Sequence, residues 1–285
     1  MMSTFDTPSP IAVTISIAMG DIRISASERA DTVVEVKPSN DSAKSRKLAE
    51  QTTVEYADGR LVVKTPKQLG IAFGRPGSVD VDIEVPAGSS LEGDTGMGDL
   101  TAEGQLGACK FRSGMGALRL GDTGPLHVTT GAGEISVVRV DGDAEVTTGT
   151  GELRLGRVTG SATVKNSNGD VRVGEVRKSA RLTTSNGDIV VERTEGGLVA
   201  KAAHGAIRVR EAKRGEVVLQ TAFGELEVGI PEGTAAWLDL DIAGGIHNTL
   251  DATGGPADAD EQVRIRARTR WGDIVILRTE GTEGE

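Results

Sequence analysis

The sequence predicts an all-β fold: a parallel β-solenoid (a β-helix) of about 18 residues per coil, with a β-rich cap at the N-terminal end and a second cap at the C-terminal end. Three observations predict it. A short phrase, small–x–Gly–(acid or Ala)–aliphatic, recurs eight times at nearly constant spacing. On both sides of the repeated glycine, aliphatic residues alternate with polar ones. Glycine is abundant, at 39 of 285 residues, while aromatic residues make up only 2%. A narrow tube of superposed positions accepts aliphatic side chains at its axis and has no room for stacked rings.

The repeat reads GMGDL to Leu100, GMGAL to Leu118, GAGEI to Ile135 and GTGEL to Leu153, then SNGDV to Val171, SNGDI to Ile189, AHGAI to Ile207 and AFGEL to Leu226. Its central glycines are Gly98, Gly116, Gly133, Gly151, Gly169, Gly187, Gly205 and Gly224, separated by 18, 17, 18, 18, 18, 18 and 19 residues. Aligned on that glycine, four apolar columns emerge. They lie two after it (Leu100 to Leu226), four after it (Ala102 to Val228), five before it (Phe111 to Leu219) and seven before it (Cys109 to Val217). Val140, Val158 and Val176, seven after the glycine, suggest a short third side. Each copy therefore holds two strands joined at a glycine corner. One such unit cannot bury enough surface alone. Stacked on its neighbour about 4.8 Å away, it can, and the crossover preference makes the stack right-handed.

The ends read differently. Residues 1–90 form a β-rich cap module with strands at 11–17, 21–25, 32–37, 53–56, 61–64 and 79–85, and one short helix at 42–51 with Asn40 or Asp41 as its cap. Ala57-Asp58-Gly59-Arg60 suits a hairpin turn, and Gly20-Asp21-Ile22 echoes the repeat as a degenerate first coil. This module is expected to close the N-terminal mouth. The repeats occupy 91–230. Residues 231–285 form a C-terminal cap and loose tail: 234–242 alternate, 251–261 are a Gly-, Pro- and acid-rich loop, and Gly272-Asp273-Ile274 repeats the signature in a final coil or strand pair. Trp237 and Trp271 are expected to plug that mouth.

Composition excludes several functions. A net charge of −10 repels phosphate backbones, so no nucleic-acid partner is expected. One cysteine, Cys109, precludes an internal disulfide framework, and three scattered histidines build no zinc site. No Lys or Arg precedes Arg23 and Asp6 interrupts the start, so no export leader is read and a cytoplasmic location is expected. No run reaches the roughly 18 apolar residues a spanning helix needs, so no membrane insertion is expected.

Three groups of residues invite a chemical reading. Asp99, Glu134, Glu152, Asp170, Asp188 and Glu225 directly follow corner glycines. They could form a cation-binding ladder, but Arg119, Arg154, Arg172 and Arg208 two places on can relieve them. Repulsion between stacked charges near 5 Å is only about 0.8 kcal/mol in water, so a solvated turn is the expectation and no metal is assigned. Thr130, Thr148, Thr184 and Thr221, with Asn166, stand three before the glycine and suggest a ladder of hydroxyls bonding along the stack. The segment from Lys64 to Ser78 is no phosphate loop. Its Lys67, Leu69, Ile71, Phe73 and Arg75 make a candidate partner-binding surface. Cys109 sits in an inward column and is expected to be an inert thiol. No catalytic residue and no cofactor is predicted.

The repeats SNGDV and SNGDI, with TVVEVKPSN (32–40), ADGRLVVKTP (57–66) and GTAAWLDL (233–240), resemble the bacterial β-strand-repeat proteins labelled "putative adhesin", a domain-of-unknown-function family common in actinobacteria. The resemblance spans roughly residues 5–279 and implies a β-solenoid without established catalytic residues. The functional expectation is a non-enzymatic cytoplasmic scaffold or protein-binding module, a monomer or small oligomer with a protein partner. The alternatives are an exported adhesin-like surface protein and a carbohydrate-active β-helix enzyme.

Overall fold

Each of the eight repeat corners is a glycine of positive φ, and the turn carries the chain from one sheet to the other. A computed structural model describes residues 2–66, 76–250 and 261–279. The chain divides into two units, Met1–Asp141 and Gly142–Glu285.

Unit 1 contains β1 (Met2–Asp6), β2 (Ala12–Met19), β3 (Ile22–Ser27), β4 (Asp31–Pro38), α1 (Ala43–Gln51), β5 (Thr53–Ala57), β6 (Arg60–Lys64) and β7 (Val79–Pro86). The regular coils follow: β8 (Ser90–Met97) with β9 (Leu100–Gln105), β10 (Cys109–Met115) with β11 (Leu118–Thr123), and β12 (Leu126–Ala132) with β13 (Ile135–Val140). Pairing is parallel and in register, so Phe111 faces Gly93 and Val128, while Leu118 faces Leu100 and Ile135. The echo of the repeat at Gly20 is a true coil, because β2 pairs with β8 and β3 with β9. It is not the outermost one. β6 adds to the other side of β2, and β7 to the other side of β3, again in parallel.

Antiparallel strands then finish this end. β5 lies on β6, β4 on β7, and β1 on β4. The rings of Phe5 on β1 and Tyr56 on β5 approach to 5.3 Å, so a strand from each sheet meets across the end. The β5–β6 turn has Asp58 at φ 51° and Gly59 at φ 73°, the left-handed pair a two-residue hairpin needs. Helix α1 packs on β4 and β7 through Ser45, Leu48 and Ala49. Its N-cap is Ser42 rather than Asn40 or Asp41. Ser42 is extended, and its Oγ accepts the Ser45 N–H at 3.1 Å. Asn40 stands two residues too early and accepts the Ser42 N–H at 3.0 Å instead.

Unit 2 contains β14 (Ala144–Thr150), β15 (Leu153–Val158), β16 (Ala162–Asn168), β17 (Val171–Val176), β18 (Ala180–Asn186), β19 (Ile189–Thr194), β20 (Leu198–His204) and β21 (Ile207–Ala212). After them come β22 (Gly215–Phe223), β23 (Leu226–Pro231), β24 (Thr234–Ile242), β25 (Ile246–Asn248), β26 (Glu261–Trp271) and β27 (Ile274–Thr279). Ala144, Ala162, Ala180 and Leu198 face one another in sequence, and the row continues through Val217. Spatial order then departs from chain order. β26 pairs with both β22 and β24, and β27 with both β23 and β25. The final coil expected at Gly272 therefore exists but lies between two earlier ones.

All four apolar columns point inward. Leu100, Leu118 and Ile135 are sealed in unit 1, as are Leu153, Val164, Leu182 and Val209 in unit 2. The third side is real too: Val158, Val176, Thr194 and Ala212 line up in register and are buried. Each fully buried Leu or Val contributes roughly 1.5–3 kcal/mol, so repetition supplies the stability that one coil lacks. The corners stack as closely as backbone allows. Gly187 has φ 133°, and a Cβ there would lie 2.3 Å from the Gly169 carbonyl oxygen.

Candidate functional site

The partner-binding residues expected in the cap, Lys67, Leu69, Ile71, Phe73 and Arg75, lie outside the described residues. The other candidates are all in view, and most are absorbed by the fold.

Where the acidic column holds an aspartate, its short side chain serves the adjacent coil. Asp99 Oδ1 accepts the Ala117 N–H at 2.8 Å, Asp170 Oδ1 accepts the Asp188 N–H at 3.0 Å, and Asp188 Oδ1 accepts the Ala206 N–H at 2.8 Å. Asp21 does the same for Asp99 at 3.0 Å. That N–H follows the corner glycine and points away from the regular ladder, so the carboxylate supplies its partner. The expected arginine relief is also present. Arg154 reaches Glu152 at 2.5 Å, and Arg172 reaches Asp170 at 3.1 Å as well as Glu152. Among the described residues no group of three or more His, Cys, Asp or Glu is placed to hold a metal ion.

The Thr column is buried and does not bond hydroxyl to hydroxyl, as its stacking suggested. Several of its members donate instead to corner carbonyls, whereas Thr130 reaches the Ala132 carbonyl at 3.4 Å and the buried Thr148 hydroxyl has no partner among the described residues. Thr221 Oγ1 donates to the Gly205 carbonyl at 3.0 Å and Thr269 Oγ1 to the Gly224 carbonyl at 3.1 Å. Asn166 Nδ2 donates to the Gly151 carbonyl at 3.0 Å and the Gly169 carbonyl at 2.8 Å. These side chains sit one row inside the glycine corner, so its carbonyl is the acceptor within reach. Burial pushes the Cys109 thiol up to about 12, which leaves it protonated and unreactive at neutral pH.

A groove on unit 2 between Gly156 and Thr279 is lined by acids and bases in pairs. Arg157 meets Glu175 at 2.9 Å, Arg193 meets Glu211 at 3.0 Å and Arg210 meets Glu192 at 2.9 Å. Every carboxylate there has a guanidinium on it, so none is poised as an acid or base.

The strand alternation that points Leu238 inward turns its neighbour Trp237 outward. Trp237 is 45% exposed and Trp271 is 68% exposed, so neither plugs the mouth. Trp271 instead faces Phe223, which stacks on His204 with ring centroids 5.0 Å apart. Among the described residues, the mouth of unit 2 is also left open in another sense. β24 and β25 are the last strands of their sheets. Their inward positions continue the apolar columns, with Leu238 beside Ile265 and Ile246 beside Ile274. Yet Leu238, Leu240 and Ile242 are only half-buried and Ile246 is 49% exposed, whereas Ile265 and Ile274 are sealed. Unit 1 has antiparallel strands and a helix at its end. Among the described residues, nothing equivalent covers β24 and β25. Among the described residues, this apolar edge is a feature that the fold leaves uncovered. Sequence reasoning missed it, although the alternation over 234–242 carried the signal.

A comparison with family models decides the relationship, because residues 12–276 match one of them, Toastrack DUF4097. The chain belongs to the Toastrack DUF4097 family. This agrees with the resemblance to "putative adhesin" β-repeat proteins, and the Toastrack fold is a β-solenoid. The Toastrack domain is also similar to solved structures. One is a "putative adhesin" from Parabacteroides merdae, with 10% identity over 97% of this chain and 95% of that one and a TM-score of 0.44. A second is a "putative adhesin" from Bacteroides fragilis, with 12% identity over 97% and 96% and a TM-score of 0.35. A third is a "Putative lipid binding protein" from Parabacteroides distasonis, with 11% identity over 98% and 96% and a TM-score of 0.30. No curated protein matches the sequence. The family assignment rests on the 12–276 match. No helix among the described residues of this Toastrack domain is long and apolar enough to cross a membrane.

Proposed function

We propose that this Toastrack domain is a non-enzymatic protein-binding module of the cytoplasm, and that it engages its partner at the open end coil of unit 2. The observation that carries the reading is the contrast within one apolar column. Ile265 is fully buried, while Leu238, its neighbour one strand further out, is half-exposed on the last strand of the sheet. An edge strand with an apolar face is a template for another chain, and proteins leave one open where something is meant to occupy it. The absence of catalysis is supported by the pairing of carboxylates with arginines in the unit 2 groove and by the protonated, buried thiol of Cys109.

The test is site-specific photo-crosslinking in the native cell, with fractionation to place the adducts. A crosslinker at Trp237 on the end coil is expected to give a discrete heteromeric adduct in the cytosolic fraction. The same crosslinker at Glu145, on the outer face of β14, is expected to give none. Equal labelling from both positions, or no adduct from Trp237, would remove the end coil as the binding surface.

A further inference from the structure

Near the open coil, β26 and β24 set base against acid on the outer face of unit 2. Val218 on β22, Arg266 on β26 and Asp239 on β24 form one row. Arg266 holds Asp239 with Nε at 3.6 Å and reaches diagonally to Glu216 on β22 with Nη1 at 3.2 Å. The next row runs Gln220, Arg268, Asp241. Both rows end on an aspartate at the edge of the sheet, and both aspartates are exposed. Between them the inward row of Ala236, Leu238, Leu240 and Ile242 ends half-buried. A strand added at this edge would meet acid, apolar, acid, apolar in strict alternation.

Resting on the reading that the end coil takes a protein partner, we propose that the partner supplies one extended strand of alternating basic and apolar residues. It adds to β24 by backbone hydrogen bonds. Its basic side chains stand beside Asp239 and Asp241, and its apolar ones cover Leu238, Leu240 and Ile242. Edge addition of this kind takes affinity from the main chain and specificity from alternate side chains.

The chain itself shows the fit. β26 reads Val-Arg-Ile-Arg-Ala-Arg-Thr-Arg from 263 to 270 and occupies the inner side of β24, with Arg266 opposite Asp239 and Arg268 opposite Asp241. The proposed strand repeats that match on the outer side. A second copy of this chain is the wrong occupant. A copy of β24 carries no basic residue, so an antiparallel pair that keeps the two apolar faces together brings no cation to Asp239 or Asp241, and the registers that set Asp239 against Asp239 or Asp241 place like charges directly opposite, which is destabilising. A protein of net charge −10 also favours a basic partner over a copy of itself.

The probes are two synthetic peptides, read by fluorescence anisotropy against the full chain. One has the sequence of residues 262–270, QVRIRARTR, and the other replaces each arginine with glutamate. The basic peptide is expected to bind at least tenfold more tightly than the acidic one, with affinity that falls as salt rises. The double substitution Asp239→Asn/Asp241→Asn, which leaves the backbone edge intact, is expected to weaken the basic peptide at least fivefold. The double reversal Asp239→Lys/Asp241→Lys is expected to invert the preference, with circular dichroism and thermal melting confirming that both variants fold. Equal binding of the two peptides, or a reversal that changes nothing, would overturn the proposal. A dimer in sedimentation together with no peptide binding would also overturn it, assigning the edge to a second copy. If neither peptide binds while the Trp237 crosslink persists, the strand chemistry falls and the end coil keeps its partner. If both vanish, both readings fall.

Discussion

Asp188 reaches across one coil to hold the backbone of the next, its Oδ1 accepting the Ala206 N–H at 2.8 Å. The reach depends on the short side chain. Glu152, at the equivalent place, turns to Arg154 and Arg172. Asp188→Ala is therefore expected to cost about 1 kcal/mol, the worth of a net hydrogen bond, and Asp188→Glu to cost nearly as much. Urea denaturation checks this. A neutral Asp188→Glu would mean that the carboxylate is merely a solvated surface charge.

The corner glycine is a separate and larger constraint. Gly187→Ala places a Cβ at 2.3 Å from the Gly169 carbonyl oxygen on a residue with φ 133°. Strain and overlap together are expected to cost about 3 kcal/mol or more. Gly59 is the control, because nothing lies near its Cβ direction and its φ is 73°. Gly59→Asn, which tolerates the left-handed region, is expected to lose well under 1 kcal/mol (~0.5). Similar losses at both positions in thermal melts would contradict this.

Inside and outside of the same coil should answer to mutation very differently. Val146 is fully buried in the axis of unit 2, so Val146→Asp strands a carboxylate among aliphatic side chains and is expected to cost about 4 kcal/mol or more. Glu152→Ala removes surface ion pairs and is expected to cost less than about 1 kcal/mol. Denaturation midpoints of the two variants separate these outcomes.

Cys109 predicts a pH dependence with a definite sign. Its thiol is raised from 9.0 to about 12 by burial. Below pH 9 the thiol is protonated in both folded and unfolded chains and contributes no pH dependence. Between pH 9 and 12 the unfolded chain releases the proton while the folded one retains it, so stability falls as pH rises. Cys109→Val, which cannot ionise, is expected to lose less stability than the parent over that window. In the same experiment the native thiol is expected to resist a disulfide reagent at pH 8 and to react on denaturation. Rapid labelling of the native protein would mean that the column is open at Cys109.

The repetitive part of the fold was legible in the residues because each coil repeats the same physical problem. The aliphatic columns, the glycine corners and the short third side at Val158 and Val176 all follow from a spacing that chance does not produce. What stayed hidden depends on distant pairing. Alternating strands such as 234–242 and 263–270 fit any neighbour of matching register, so nothing local announced that β26 lies inside β24 or β6 outside β2. The roles of Asp188 and Thr221 were misread for a related reason. Their partners are backbone groups of another coil, which carry no sequence signal. The outward turn of Trp237, by contrast, was there to be read, since Leu238 and Leu240 claim the inner face.

The insertion of β27 between β23 and β25 also governs how the molecule meets force. Force applied to the chain beyond Thr279 acts first on a strand held along both of its edges. It has to draw the last segment from a slot flanked on both sides, shearing two ladders together before anything else is freed.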